Sequence, residues 1–292
     1  MKLALIGVGL IGGSAAAAWR ADGTVKHVTG YDIDSSAAER GRALGMLDAI
    51  APTVALAVAD ADVVLLSVPV LAMRSVFDVL ARHARPNAVI TDVGSTKLSV
   101  IDAARSGLSS GGRVSLSRFV PGHPIAGREV PGIDSADAQL FRGRLVITTP
   151  TAETGAEATA LIESLWARSG ARLARMDAAD HDRIFAAVSH LPHLLAFALV
   201  ASIASETDGD RKMEFAGAGF RDFTRIAASS PEMWRDVCLA NRATLGAELQ
   251  RYRELLDQLQ KAVDAGDAAF LERTFALASE ARRRHAPTLD AE

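Results

Sequence analysis

Lys2-Leu3-Ala4-Leu5-Ile6-Gly7-Val8-Gly9-Leu10-Ile11-Gly12-Gly13-Ser14 stands near the start of a 292-residue chain. Lys2–Ile6 has the continuous apolar character of a strand buried on both faces. The alanine-rich residues after Gly12 predict a helix to about Ala21. Three glycines separate the two. Gly7 permits the tight turn after the strand, Gly9 lets the backbone approach a pyrophosphate, and Gly12 allows close helix–strand packing. Leu10 and Ile11 open the helix, where free N–H groups and a partial positive charge face the phosphates. Asp32 lies 25 residues past Gly7, at the end of a second predicted strand, His27–Tyr31. A carboxylate there accepts hydrogen bonds from a ribose diol and repels a 2′-phosphate, which predicts NAD rather than NADP. Asp34 is its rival but falls beyond the strand end. Met1-Lys2, the short apolar run and the four alanines at 15–18 also have the make-up of a secretory leader. The register of the glycines and the matching second strand oppose that.

Further strands are predicted at 62–68, 88–91 and 145–149, and helices at 35–44, 70–82 and 154–169. Residues 106–117, rich in Ser and Gly, read as a loop. Alternating strands and helices with near-continuous apolar strands imply a parallel sheet covered on both faces. After about Met176 strand signals stop, and helices are predicted at 180–205, 213–229, 231–265 and 267–285. The fold expected is therefore α/β: a Rossmann-type, doubly wound dinucleotide-binding domain at 1–174, then an all-α substrate and dimerisation domain at 175–292. Leu245, Leu249, Tyr252, Leu256, Leu259 and Val263 recur at three- and four-residue steps, an apolar stripe that either packs in a core or joins two subunits. We expect a homodimer through these C-terminal helices. The composition is that of a globular chain, 49% hydrophobic and 23% charged, and its net charge of −3 argues against a nucleic-acid surface. One cysteine, Cys238, excludes an internal disulfide and suits a reducing, cytoplasmic setting. The longest apolar runs, 63–73 and 194–204, fall short of the roughly 20 residues of a membrane span, so no membrane partner is expected.

The chemistry concentrates in the second half. Phe119-Val120-Pro121-Gly122-His123-Pro124-Ile125-Ala126-Gly127 places one imidazole between a glycine and a proline, which predicts a rigid loop at a strand end. A histidine held there serves as acid or base near neutral pH. Thr91-Asp92-Val93-Gly94-Ser95-Thr96-Lys97 lies at the carboxyl end of a strand, the edge where open parallel sheets bind ligands. Ser95 is placed to hydrogen-bond a substrate or His123, or to cap the next helix. Ser189 and His193 share a helix face, His190 and His193 lie three apart, and Pro192 disturbs the helix between them. No carboxylate or cysteine completes a ligand set with these histidines, so no metal is expected. Arg221 and Arg225 are four apart; Arg225 is the preferred two-pronged carboxylate binder. Ser229-Ser230-Pro231-Glu232 starts a helix with Trp234 just inside it.

Residues 7–14, 92–97, 122–127, 189–193 and 219–234 together resemble the prephenate and arogenate dehydrogenases of tyrosine biosynthesis, over nearly the whole chain. The resemblance implies an NAD-linked oxidative decarboxylation of a small cyclohexadienol. His123 matches the catalytic histidine at the ring hydroxyl and Ser95 the serine supporting it. His193 matches a substrate-site histidine, Arg225 the arginine on a substrate carboxylate, and Glu129 and Asp222 acidic neighbours. Prephenate and arogenate are not separated by these residues. The chain starts at the first cofactor strand and stops soon after His285, so neither a fused mutase nor a regulatory domain is expected, and tyrosine would compete at the active site. A β-hydroxyacid dehydrogenase is the rival enzyme, though it places a lysine acid on a central helix where this chain has His190 and His193. A dinucleotide-sensing regulator would carry a DNA-binding unit, and none is visible.

Overall fold

The computed structural model describes residues 1–108, 112–127, 130 and 132–289. The N-terminal elements are β1 (Lys2–Ile6), α1 (Leu10–Ala21), β2 (His27–Tyr31), α2 (Ser35–Ala43), β3 (Ala49–Ile50), α3 (Val54–Val58), β4 (Val63–Leu66), α4 (Met73–His83), β5 (Val89–Asp92), α5 (Leu98–Leu108) and β6 (Phe119–Val120). Their strands form one parallel sheet ordered β3-β2-β1-β4-β5-β6. From Leu3 onward β1, and all of β4, are apolar and buried at the centre, as strands covered on both faces must be. One core, built around Phe77, Leu80 and Ile90, fills one face; the other is built around Trp19, Phe141 and Trp166. Trp166 sits edge-on to both Trp19 and Phe141, with ring centres 4.9 and 5.0 Å apart.

A second sheet follows, with β7 (Gly122–Ile125), β8 (Leu145–Thr148) and, after α6 (Ala156–Arg168), β9 (Arg172–Arg175), in the order β7-β8-β9. Two expectations change here. The segment holding His123 is a strand rather than a loop, paired antiparallel with β8 so that His123 lies opposite Ile147. Pro124 is tolerated because β7 is an edge strand, where a missing N–H interrupts no second ladder. The strand predicted at 145–149 joins this small sheet and not the main one. Residues 106–108, read as loop, are the last turn of α5.

Helices continue with α7 (Ala178–Phe185), a π-helical turn (Ala186–His190), α8 (Leu191–Ala204), α9 (Gly209–Glu214), α10 (Ala218–Thr224), a 3-10 turn (Arg225–Ala228), α11 (Pro231–Ala240), α12 (Arg242–Ala265) and α13 (Ala268–Leu289). The helix predicted over 231–265 breaks at Asn241, whose side chain is spent on tertiary hydrogen bonds. Ala178–Ala204 is one helical run of 27 residues whose most apolar window has a mean hydropathy of 1.9. By length and composition alone it is long and apolar enough to cross a membrane, where the sequence reading counted only the shorter run 194–204. Its first half, however, is built into a polar network through His181, Asp182 and His190. The chain divides into two compact units, Met1–Arg242 and Ala243–Glu292.

Candidate active site

The glycine turn is shaped by close approach. Gly7 has a φ of +95°, and a Cβ there would lie 2.3 Å from the Ser67 carbonyl oxygen. A Cβ on Gly12 would lie 2.7 Å from the Gly7 oxygen, whereas one on Gly9 would meet only open space. The backbone is thus packed on one side and bare at Gly9, beside the start of α1. That is the cradle a pyrophosphate needs, so the residues present fit a dinucleotide. Asp32 accepts the Val8 N–H on Oδ2 (2.6 Å) and the Asp34 N–H on Oδ1 (2.9 Å), so the acid and the turn hold each other. Asp34 is occupied as the cap of α2, and its hydrogen bonds from Ser36 lower its pKa. This leaves Asp32 as the acid facing the cradle. Ile33 beside it is 93% exposed.

At the carboxyl end of β5 a buried ion pair grips the strand that carries His123. Asp92 Oδ1 accepts the Gly122 N–H (3.1 Å), and Lys97 Nζ donates to the Gly122 carbonyl and to Asp92 Oδ2, each at 2.5 Å. Both side chains are wholly buried. Burial lowers the Lys97 pKa against the pull of Asp92. Removing either partner would strand a buried charge, a loss of about 3–5 kcal/mol.

His123 Nδ1 lies 2.8 Å from His181 Nε2, and His181 Nδ1 lies 2.8 Å from Asp182 Oδ1. Asp182 also accepts the N–H groups of Lys97 (2.7 Å) and Leu98 (3.0 Å) at the start of α5, the role expected of Ser95 as a cap. Burial alone would raise the Asp182 pKa, but hydrogen bonds from His181 and these amides outweigh it and hold the carboxyl low. Asp182 is therefore an ionised acceptor. Its neighbour's proton must sit on His181 Nδ1, which leaves His181 Nε2 to accept from His123 Nδ1–H. His123 Nε2 is then an unprotonated base. Burial, with His181, Lys97 and His190 nearby, pushes the His123 pKa well below its ordinary value.

His190 and His193 flank this base. His190 is buried, with Nδ1 3.1 Å from the Asn241 amide nitrogen, which also donates to the Asp182 carbonyl (2.8 Å). Burial lowers the His190 pKa to about 4. His193 donates Nδ1–H to the Ser189 carbonyl (2.9 Å) and stacks on Trp234, with ring centres 3.6 Å apart and planes 19° from parallel. Its Nε2 is left for a ligand. The expected sharing of a face by 189 and 193 is realised through this backbone contact. Ser95 is half-buried in the loop before α5, its backbone against His190. Among the described residues the partner of His123 Nδ1 is His181, not Ser95. Arg225 is exposed on the 3-10 turn packed against α8, and Asp222 is exposed on α10. Arg221 donates to the Ala216 carbonyl, a structural duty. Glu129 lies outside the described residues.

The motifs show which protein this architecture serves. Residues 15–175 match the family model for the prephenate dehydrogenase nucleotide-binding domain, and residues 177–277 that for the prephenate dehydrogenase dimerization domain. The chain belongs to the prephenate dehydrogenase family. Among its relatives, the cyclohexadienyl dehydrogenase of Zymomonas mobilis is 37% identical over 282 residues, 96% of this chain and 94% of that one. The prephenate dehydrogenase of A. aeolicus, solved with hydroxyphenyl propionate and NAD+, has a TM-score of 0.87 at 32% identity, covering 97% of this chain and 98% of that one. The arogenate dehydrogenase of Synechocystis has a TM-score of 0.77 at 31% identity, covering 98% of this chain and all of that one. Within this dehydrogenase, the sequence reading gave no role to five network residues: Asp92 and Lys97, which it quoted only as part of a motif, and His181, Asp182 and Asn241. The signals were there in the Asp92/Lys97 pair bracketing Ser95 and in the adjacent His181-Asp182 at the head of the first C-terminal helix.

Proposed function

We propose that this chain catalyses the NAD-dependent oxidative decarboxylation of prephenate to 4-hydroxyphenylpyruvate, of arogenate to tyrosine, or of both. The observation that carries it is the commitment of His123 Nδ1–H to His181, which frees Nε2 as a base at the carboxyl edge of the sheet. Gly7, Gly9, Leu10, Ile11 and Gly12 hold the pyrophosphate and Asp32 the adenine ribose, which favours NAD over NADP. Bound NAD+ supplies the hydride acceptor. His123 Nε2 takes the ring-hydroxyl proton as hydride leaves the same carbon. The carbonyl so formed is conjugated through the ring to the carbon bearing the carboxylate. Carbon dioxide departs, its bonding electrons flow to that oxygen, and the proton returns from His123 as the phenol forms. Ser95 aligns the hydroxyl, His193 Nε2 and Arg225 hold the substrate's polar groups, and Asp222 is an acidic neighbour. The protein thus provides orientation and one base.

Residues 1–174 would serve the cofactor and 175–292 the substrate and a homodimer contact, in the cytoplasm. The decisive assay mixes the protein with NAD+ and either prephenate or arogenate and follows NADH absorbance. His123→Asn should bind NAD+ normally and lower kcat by ~10²–10⁴, the worth of a positioned base. No NADH from either substrate, or a variant that keeps most of its turnover, would overturn the assignment.

A further inference from the structure

We propose that His181 is a positioning residue for the reaction: anchored by Asp182, it holds His123 in the tautomer with a free Nε2 and shares the charge when His123 takes the proton. The proposal rests on His123 being the base. The geometry behind it is continuous. Asp182 is pinned by the backbone N–H groups of Lys97 and Leu98 at the start of α5, which hold it against His181. The His181 ring is wholly buried and stacked on Phe185, with centres 4.5 Å apart, while Phe185 also packs against His123 at 5.0 Å. Both imidazoles are thereby fixed, one by the other and by a shared aromatic wall.

The groups around the two imidazoles act in both directions. Asp182 and Asp92 favour positive charge on His181, while Lys97 and burial oppose it. Burial, His181, Lys97 and His190 oppose charge on His123, and His181 in turn rests on the Asp182 carboxylate. A proton arriving on His123 Nε2 strengthens the Nδ1–H hydrogen bond to His181, whose own Nδ1–H leans on the Asp182 carboxylate. An acceptor without a carboxylate behind it would not respond in this way.

The test uses His181→Phe, which keeps the stacking ring but removes both nitrogens, and His181→Gln, whose carboxamide oxygen can still accept from His123. Expected for His181→Phe is a kcat lower by about 10- to 100-fold, less than the ~10⁴ of a wrong tautomer imposed on a catalytic histidine, with KM little changed. His181→Gln should recover part of that loss. Introduced into His123→Asn, His181→Phe should cost nothing more, because the two act as one unit. Imidazole ¹⁵N spectra of the wild-type protein should show His123 protonated at Nδ1 and bare at Nε2, a readout that needs no turnover and no variant. The proposal is overturned by an Nε2–H tautomer, by His181→Phe with wild-type kcat or with only KM raised, or by losses that add fully in the double variant. If His123→Asn alone retains most of its turnover, the base assignment itself has failed; additive losses measured on the residual rate of a slowed His123→Asn background remove only the role of His181.

Discussion

His123 owes its chemistry to what surrounds it. An exposed histidine would be half protonated near pH 6.5. Burial lowers the pKa of His123, and Lys97, His190 and His181 lower it further. Burial likewise lowers His181, His190 and His193. Two consequences follow with definite signs. Catalysis requires neutral His123, so turnover per folded molecule should stay level as pH falls through about 6.5 and decline only below it. Stability moves the other way. Below about 6.5 the unfolded chain binds protons on these four histidines that the native state still refuses, so the native state loses stability as pH falls. Thermal melts between pH 7.5 and pH 5 should show Tm falling, most steeply below about 6.5. An acid limb centred at an ordinary histidine pKa, or a Tm flat over that range, would contradict the buried arrangement. His123 itself was legible from its Gly and Pro neighbours. Its partner was not, because His181 lies 58 positions away and meets it only through folding.

Elements explain why the site residues point where they do. The π-helical turn Ala186–His190 precedes Pro192, which has no N–H to continue the ladder. The Ser189 carbonyl accepts His193 Nδ1–H, and α11 brings Trp234 face to face with the same ring. The sequence showed the proline and its disturbance. It did not show the stacking partner, since Trp234 arrives on a different helix. We expect Trp234→Leu to raise KM for the cyclohexadienyl substrate several-fold while kcat and NAD+ affinity change less, because the ring of His193 loses one wall and substrate binding, not proton transfer, depends on it. Steady-state kinetics with NAD+ titration checks this; an unchanged KM would mean that His193 is held by Ser189 alone. Helix and strand periodicity gave β1, β2, β4 and β5 of the main sheet with α1, α2 and α4, but not the two-residue strands β3 and β6 or the one-turn helix α3, which are too short to show a period. It missed β7 and β9, because a strand with Gly and Pro and an edge strand reading Arg-Leu-Ala-Arg carry little apolar alternation.

At the scale of the whole molecule the question is what covers its remaining apolar surface. Leu255, Leu256, Val263, Phe275 and Leu277 are exposed on α12 and α13, and Val263, Phe275 and Leu277 are each more than half exposed. Leu256 and Val263 belong to the stripe that the sequence spaces at three- and four-residue steps. A scattered exposed leucine needs no explanation, but large apolar groups repeated along two long helices do. α12, at 24 residues, extends about 36 Å, so a pair of such helices offers an interface above the roughly 1,000 Å² that a stable association needs. The match of residues 177–277 to a dimerization-domain family points to a second copy of this chain as the occupant. Light scattering at micromolar concentration should therefore give twice the 30.7 kDa chain mass. Leu256→Glu combined with Val263→Glu places two carboxylates on the stripe. In a dimer each would be buried without a partner, a cost of several kcal/mol per charge, so the variant should dissociate. The NAD+ cradle lies in the other compact unit, so NAD+ affinity should persist in the monomer. A wild-type monomer, or a double-glutamate variant that stays dimeric, would move the interface away from these helices.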